Sequence, residues 1–431
     1  MVKLHVIFKW FTLGIGIKRW LILATLGVGL VALGIALILL ETFRTTLNTS
    51  EVNWLNIVLS ICVGSAIVSI SLVKLTNNLL APYRRHQSGH VIDVVYAHSK
   101  RQKGLRVVAL GGGTGLPSVL RGIKPFTSNI TAVVTVADDG GSSGRLRREL
   151  GVLPPGDLRN NIAALADDES LMTQLFQYRF ENGDLGGHSF GNLFIAALAG
   201  VSGGLETALT EVERVLNIQG RVLPATLEDI NLVASIKVPG KSNPLKIQGE
   251  SKISEVGGQI EQLSIIPEDA EAFPGSVDAI LDADIIVIGP GSLYTSIIPN
   301  MLVKGIADAL RATSAYKIYI CNVATQPGET TAFTVADHVL ALEKHIGRGV
   351  FQAVLANNAY PSENAGQNTF YVTPVPENHE ILQRYEVRYT DLTDEERPWR
   401  HDPKKLAQAI LRLNNAEKSG SIIADPIFVN G

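Results

Sequence analysis

Two long apolar runs open the chain, and only short ones follow. Leu21–Leu40 (LILATLGVGLVALGIALILL) is twenty residues without a charge, about 30 Å as a helix, the thickness of a bilayer's hydrocarbon core. A second charge-free run, Val52–Val73, contains Asn53, Asn56 and several serines. A helix tolerates serines because their hydroxyls bond back to the preceding turn. A cleaved signal peptide fits poorly, since the first run is too long, lacks a small-residue cleavage site and is followed by a second run. The pattern predicts two transmembrane helices over about 21–40 and 54–73 within a hairpin unit 1–75. A basic juxtamembrane linker would follow over 76–103.

From Leu105 the period changes. Arg106–Leu110, Thr131–Ala137, Asp284–Ile288, Lys317–Cys321 and Val350–Leu355 are short, β-rich apolar runs, and helical stretches lie between them. Pro117 falls in the first turn of one such stretch, where proline is tolerated. Another is expected to run unbroken from Asp157, as N-cap, to Phe180. Further helix is expected over Ile195–Leu198 and Leu205–Leu216. Alternating strands and helices imply βαβ units. Residues 104–431 therefore read as one α/β domain, a Rossmann-like three-layer fold with a mostly parallel sheet, preceded by the two transmembrane helices. Ligands of such sheets bind beyond the C-terminal ends of the strands.

Charge divides the chain in the same place. Residues 1–103 hold 11 Lys/Arg and three acids, and the rest holds 27 Lys/Arg and 38 acids, so a head of +8 precedes a body of −11. Bases flank the apolar runs on their outer sides, and the link between them is poor in bases. By the positive-inside rule both termini and the body face the cytoplasm of a multi-pass inner-membrane protein. The acidic body argues against nucleic acid as a partner. Two cysteines, Cys62 and Cys321, allow no disulfide framework and no cysteine-rich zinc module. His86 and His90 form an H-x-x-x-H pair in the linker without the glutamate of a zinc protease, so no zinc is expected.

The strand ends carry the candidate chemistry. After the first strand comes Gly111-Gly112-Gly113-Thr114-Gly115, which lacks both the G-x-G-x-x-G spacing and the P-loop lysine. Four glycines in five residues exceed what a turn needs, so their amides are expected to meet phosphate. Asp138 and Asp139 follow the second strand, placed for a ribose or for Mg²⁺. Arg145 could offset an anionic ligand, whereas Arg147 and Arg148 are read as a solvated helix face. Arg159 and Asn160 lie in a helical first turn. Gly187–Gly191 matches the G-x-S-x-G elbow of serine hydrolases, but a loop precedes it where an elbow needs a strand, and Gly140–Gly144 matches as well. Gly289-Pro290-Gly291-Ser292 is a second glycine turn, and Gln326–Thr330 follows the KIYIC strand.

Together GGGTGL (111–116), TVADDGGSSGRLR (135–147), PPGDLRN (154–160), LFQYRF (175–180), GHSFGN (187–192), GPGSLYTSI (289–297), TQPGET (325–330) and RHDPKKLA (400–407) resemble the gluconeogenesis-factor (YvcK-like) family. That family is related to the 2-phospho-L-lactate transferase CofD. The resemblance covers about 105–415 and leaves the hairpin outside it. It implies a UDP-sugar ligand and a role in carbon metabolism, cell-wall precursor balance and cell shape. The alternative is a magnesium-dependent transferase. Carried over by motif, Gly112, Gly113 and Thr114 would contact phosphate and Asp138 and Asp139 would hold ribose or metal. Asn160, His188, Ser189 and Asn192 would line the pocket, and Tyr385 and Arg400 would reach the ligand from the C-terminal part. Whether the protein turns a substrate over, and whether it forms a homodimer, stay open at this level. A nicotinamide oxidoreductase is the weakest reading, since the dinucleotide spacing is missing.

Overall fold

A computed structural model of the chain describes residues 17–46, 54–84, 101–166, 171–362 and 369–419. It divides into two compact units, 1–97 and 98–431. His86 and His90 lie outside the described residues.

The first unit is a pair of long helices, α1 (Ile17–Thr46) and α2 (Trp54–Arg84). Within them Trp20–Leu40 and Ile57–Thr76 are long and apolar enough to cross a membrane. Glycines set their approach. A Cβ on Gly27 would lie 2.9 Å from the Gly64 carbonyl oxygen, and one on Gly64 would lie 2.8 Å from that of Gly27. Backbone-to-backbone contact of this kind is how small residues join helices in lipid. Leu26, Leu39, Leu55 and Leu72 face outward.

The second unit follows in chain order. It comprises β1 (Val107–Gly111), α3 (Leu116–Ile123), β2 (Ile130–Val134), α4 (Gly141–Leu150), α5 (Gly156–Leu165), α6 (Leu171–Gln177), α7 (Phe190–Ser202), α8 (Leu205–Leu216) and β3 (Arg221–Pro224). An insertion of β4 (Asn231–Lys237), β5 (Leu245–Gln248), α9 (Glu250–Val256) and β6 (Gln259–Ile266) comes next. The chain then continues with α10 (Pro274–Leu281), β7 (Ile285–Ile288), α11 (Ile298–Leu302), α12 (Ile306–Ala312), β8 (Tyr316–Ile320), α13 (Val335–Ile346), β9 (Ala353–Asn357), α14 (Ile381–Arg384), β10 (Glu386–Thr390) and α15 (Pro403–Ser419).

The main sheet has seven strands in the order β10-β9-β8-β7-β1-β2-β3, and every pairing in it is parallel. Strands β1, β2, β7, β8 and β9 are almost wholly buried, which is why they read as unbroken apolar runs. The order progresses outward from β1 in one direction and from β7 in the other. The topological switch therefore falls between β1 and β7, where an open α/β sheet leaves a crevice at its carboxyl edge. The insertion forms a separate antiparallel sheet, β5-β4-β6.

The expected α/β fold is present, with Pro117 in the first turn of α3. The helix expected over Asp157–Phe180 is two helices. Extended backbone at Ala166 ends α5, and α6 stops at Gln177. The chain then turns extended so that Arg179 pairs with Ser189 across residues 180–188, with Phe180 N–H donating to His188 O. Asp157 is not an N-cap. Pro155 holds that position, and no side chain caps the helix.

Candidate functional site

The two glycine turns meet at the switch point and interlock. A Cβ on Gly115 would lie 2.5 Å from the Pro290 carbonyl oxygen, so only glycine allows this approach. Gly113 adopts φ +60°, the left-handed region that favours glycine. Asn300 Nδ2 donates to Gly111 O at 2.9 Å, and Asn322 accepts from Gly291 N–H at 3.2 Å while donating to Gly291 O at 2.8 Å. Gln326 Nε2 donates to Ser292 Oγ at 2.7 Å. Gly289 and Gly291 are buried, whereas Thr114 is exposed at the rim.

Carboxylates gather on one side. Asp157 lies against Gly112, where a Cβ would come 2.5 Å from Oδ2, and its carboxylate accepts from the Gly113 amide. Burial, opposed by that amide and reinforced by Asp138, pushes Asp157 up to about 7. Asp138 accepts from Gly140 N–H at 2.9 Å, and Asp139 accepts from Ser251 N–H at the start of α9, also at 2.9 Å. Glu250 sits among them, and burial followed by the charges of Asp138, Asp157, Asp139 and Glu329 raises it well above the carboxylate range. Glu329 is buried and accepts from Thr295 Oγ1 (3.2 Å), Ser254 Oγ (3.3 Å) and Tyr294 N–H (3.4 Å). Burial raises it too, against those hydrogen bonds. Beside Glu329 is a 560 Å³ depression lined also by Lys237, Lys241, Gln259 and Phe333.

Asp138 turns toward Gly156 and Asp139 toward Gly249. Among the described residues no group of three or more His, Cys, Asp or Glu is placed to hold an ion.

Bases and hydroxyls occupy the other side. Ser189 caps α7 by accepting from Asn192 N–H at 3.3 Å. Asn192 Nδ2 donates to Ser142 Oγ at 3.1 Å, and Ser142 Oγ lies 3.0 Å from His188 Nδ1. His188 is buried, and burial with Arg145 nearby lowers its pKa. This network ties α7 to α4. Among the described residues no carboxylate hydrogen-bonds His188, and Ser189 is a buried cap, so neither G-x-S-x-G match forms a hydrolase elbow. Arg145 Nη2 donates to Gly186 O (2.8 Å), Arg179 Nη1 to Gly187 O (2.6 Å) and Arg159 Nη2 to Asn160 Oδ1 (2.6 Å).

Three expectations need correction. Tyr385 stands at the N-terminal end of β10, the edge opposite the glycine turns, because all seven strands run parallel. Its hydroxyl donates to Glu343 Oε1 at 2.8 Å and its ring stacks on Phe351. Arg147 is no solvated face, since its guanidinium is buried against Asp229 (2.5 Å) and Ile230 O (2.7 Å). Asp157 belongs to the site rather than to a cap. Arg400 is exposed beside the buried His401, whose ring lies 3.2 Å from Cys321 O just past β8. That is the same edge as the glycine turns. Sequence reading also did not single out Glu250, Glu329 or Ser142. Ser142 had a signal through its place in Gly140–Gly144 and Glu329 through its place in Gln326–Thr330, whereas Glu250 had none.

The geometry finds its match among known proteins. Residues 107–409 match the family described as 2-phospho-L-lactate transferase CofD. The chain belongs to the CofD family. A putative gluconeogenesis factor of Nostoc is 44% identical over 94% of this chain and 92% of its own length. The gluconeogenesis factor of Bacillus subtilis is 44% identical over 72% of this chain and 98% of its own. A crystal structure of a UPF0052-family protein from Bacillus halodurans superposes with TM-score 0.68 at 42% identity, covering 72% of this chain and 99% of that one. The CofD-family domain thus carries the likeness to the Bacillus proteins, and the Nostoc relative matches over most of the remaining chain as well.

Proposed function

We propose that the domain binds a nucleotide sugar of the UDP-sugar class at the carboxyl edge of its sheet. In this reading it acts as a regulator of carbon metabolism, cell-wall precursor balance and cell shape. One observation carries the reading: the carboxyl edge of the sheet brings Asp138 and Asp157 near Arg159, and Arg145 and Arg179 join Arg159 around residues 186–191 as a basic flank. Asp138 and Asp157 suit the hydroxyls of ribose or sugar, and the basic flank suits a diphosphate. The relatives' name, gluconeogenesis factor, supports a role in carbon metabolism. The family's description supports a second reading, a transferase, in which Asp138 and Asp139 would hold the magnesium ion.

The two apolar helices, with bases outside them, support tethering to the inner membrane with both termini and the domain in the cytoplasm. Calorimetric titration of the full chain in detergent with UDP-N-acetylglucosamine tests the ligand. Saturable one-site binding, weakened by Asp138→Ala, is expected. Flat titrations across UDP-sugars would remove the reading.

A further inference from the structure

We propose that Arg145, Arg159 and Arg179, gathered around residues 186–191, form the anion subsite of this domain and grip the phosphoryl end of its ligand in place of the glycine turns. The identity of the ligand rests on the nucleotide-sugar reading, whereas the subsite itself does not.

Each glycine turn already gives an amide to a side chain of the domain. The Gly113 amide serves the Asp157 carboxylate, the Gly291 amide serves Asn322, and the Tyr294 amide serves Glu329. A phosphate placed on the first turn would face Asp157 with its amide taken. These glycines serve close packing, as the fit of Gly115 on Pro290 and of Gly112 on Asp157 requires.

The arginines are in the opposite condition. Elsewhere Arg106, Arg147 and Arg384 each hold a carboxylate, on Asp284, Asp229 and Glu343. Arg145, Arg159 and Arg179 make no ion pair within 4.0 Å among the described residues. Arg145 and Arg179 donate to consecutive carbonyls of one loop, so their cationic heads are neighbours. The stem of Arg159 lies against Gly191 in the same loop, where a Cβ would come 2.9 Å from its Cγ and Cδ. Its Nε–H is buried without an acceptor. Burial, and then the nearness of Arg179, depress the Arg159 guanidinium, while Asp157 and Asp138 oppose that effect.

Three neighbouring guanidiniums with most of their donors unspent repel one another, and a buried donor without an acceptor is costly. A phosphoryl group answers both conditions. Its oxygens accept from several guanidiniums at once, including paired N–H donation from a single fork, and its charge offsets theirs. With the phosphoryl end on this loop, the remainder of the ligand runs toward Asp138 and Asp157.

Calorimetric affinities for inorganic pyrophosphate and for UDP-N-acetylglucosamine, measured on the full chain in detergent, test the assignment. Arg179 is exposed, so Arg179→Met is expected to fold, which its thermal melt checks; Arg145→Met is the second variant. Each should weaken pyrophosphate at least tenfold, and Arg179→Lys should recover part of the loss. Pyrophosphate binding that depends on these arginines, without any UDP-sugar binding, would keep the subsite and remove the nucleotide-sugar reading. Affinities for both ligands that stay within twofold in the methionine variants, or a wild-type chain that binds no pyrophosphate, would overturn the subsite.

Discussion

The carboxylate of Asp157 accepts a hydrogen bond from the amide of Gly113, the residue at the tip of the first glycine turn. A turn that reads as a phosphate cradle therefore gives one of its amides to a side chain of the domain itself, and burial pushes that carboxyl up to about 7.

Replacing Asp157 by Asn should stabilise the domain near neutral pH. The unfolded side chain ionises near 3.8, whereas the folded one holds its proton to about 7. The folded state thus binds the extra proton between these values. Stability from this group is complete below about pH 4 and is lost as pH rises to about 7. Asn keeps the acceptor for Gly113 without the charge. Thermal melts should show Asp157→Asn level with wild type near pH 4 and more stable above pH 7 by about 2–3 kcal/mol, allowing for partial solvent screening. A gap that does not change with pH would contradict the placement.

Gly115→Ala and Gly200→Ala should act in opposite directions. The first drives a methyl into the Pro290 carbonyl, and the second, in the last turn of α7, meets nothing within 4 Å. Chemical denaturation should show a loss of about 1–3 kcal/mol for Gly115→Ala and a gain of about 0.5–1 kcal/mol for Gly200→Ala.

Asp139→Ala removes the carboxylate that accepts from Ser251 N–H. The loss of a helix-terminal acceptor costs about 1 kcal/mol. Amide exchange in Glu250–Val256 should speed up selectively, while β1, β2 and β7 keep their protection. Unchanged exchange in α9 would show that Asp139 does not hold it.

Tyr385→Phe breaks the hydrogen bond to Glu343 at the edge away from the crevice. Denaturation should register a loss of about 1 kcal/mol, with ligand affinity unchanged. A tenfold loss of affinity at unchanged stability would return Tyr385 to the site.

The strands of the main sheet were legible where burial on both faces leaves continuous apolar runs, as in Ile285–Ile288 and Tyr316–Ile320. β10 was not, because most of its residues are only partly buried and its sequence, EVRYT, alternates charge with apolar side chains. The break between α5 and α6 was hidden because apolar spacing continues through Leu165, Met172 and Phe176 on both sides of it. Asp138, Asn160, His188, Ser189 and Asn192 were singled out because they follow strands or open helices. Asp157 was misread because an aspartate at a helix start has an ordinary explanation, and its depth appears only when Gly112 and Gly113 pack over it. Glu250 gave no signal, since the β4–β6 insertion alone carries it to the acids after β2. Tyr385 was misplaced because sequence alone does not say which end of its strand faces the crevice.

The central claim is that the carboxyl edge between β1 and β7 is a nucleotide-sugar site. A crystal structure of the chain grown with UDP-N-acetylglucosamine tests it most directly. The account predicts continuous ligand density across that crevice, with the diphosphate beside Arg145, Arg159 and Arg179 and hydroxyls within hydrogen-bonding distance of Asp138 or Asp157. Density seated elsewhere on the domain, or a crevice closed by its own side chains in the presence of saturating ligand, would contradict it.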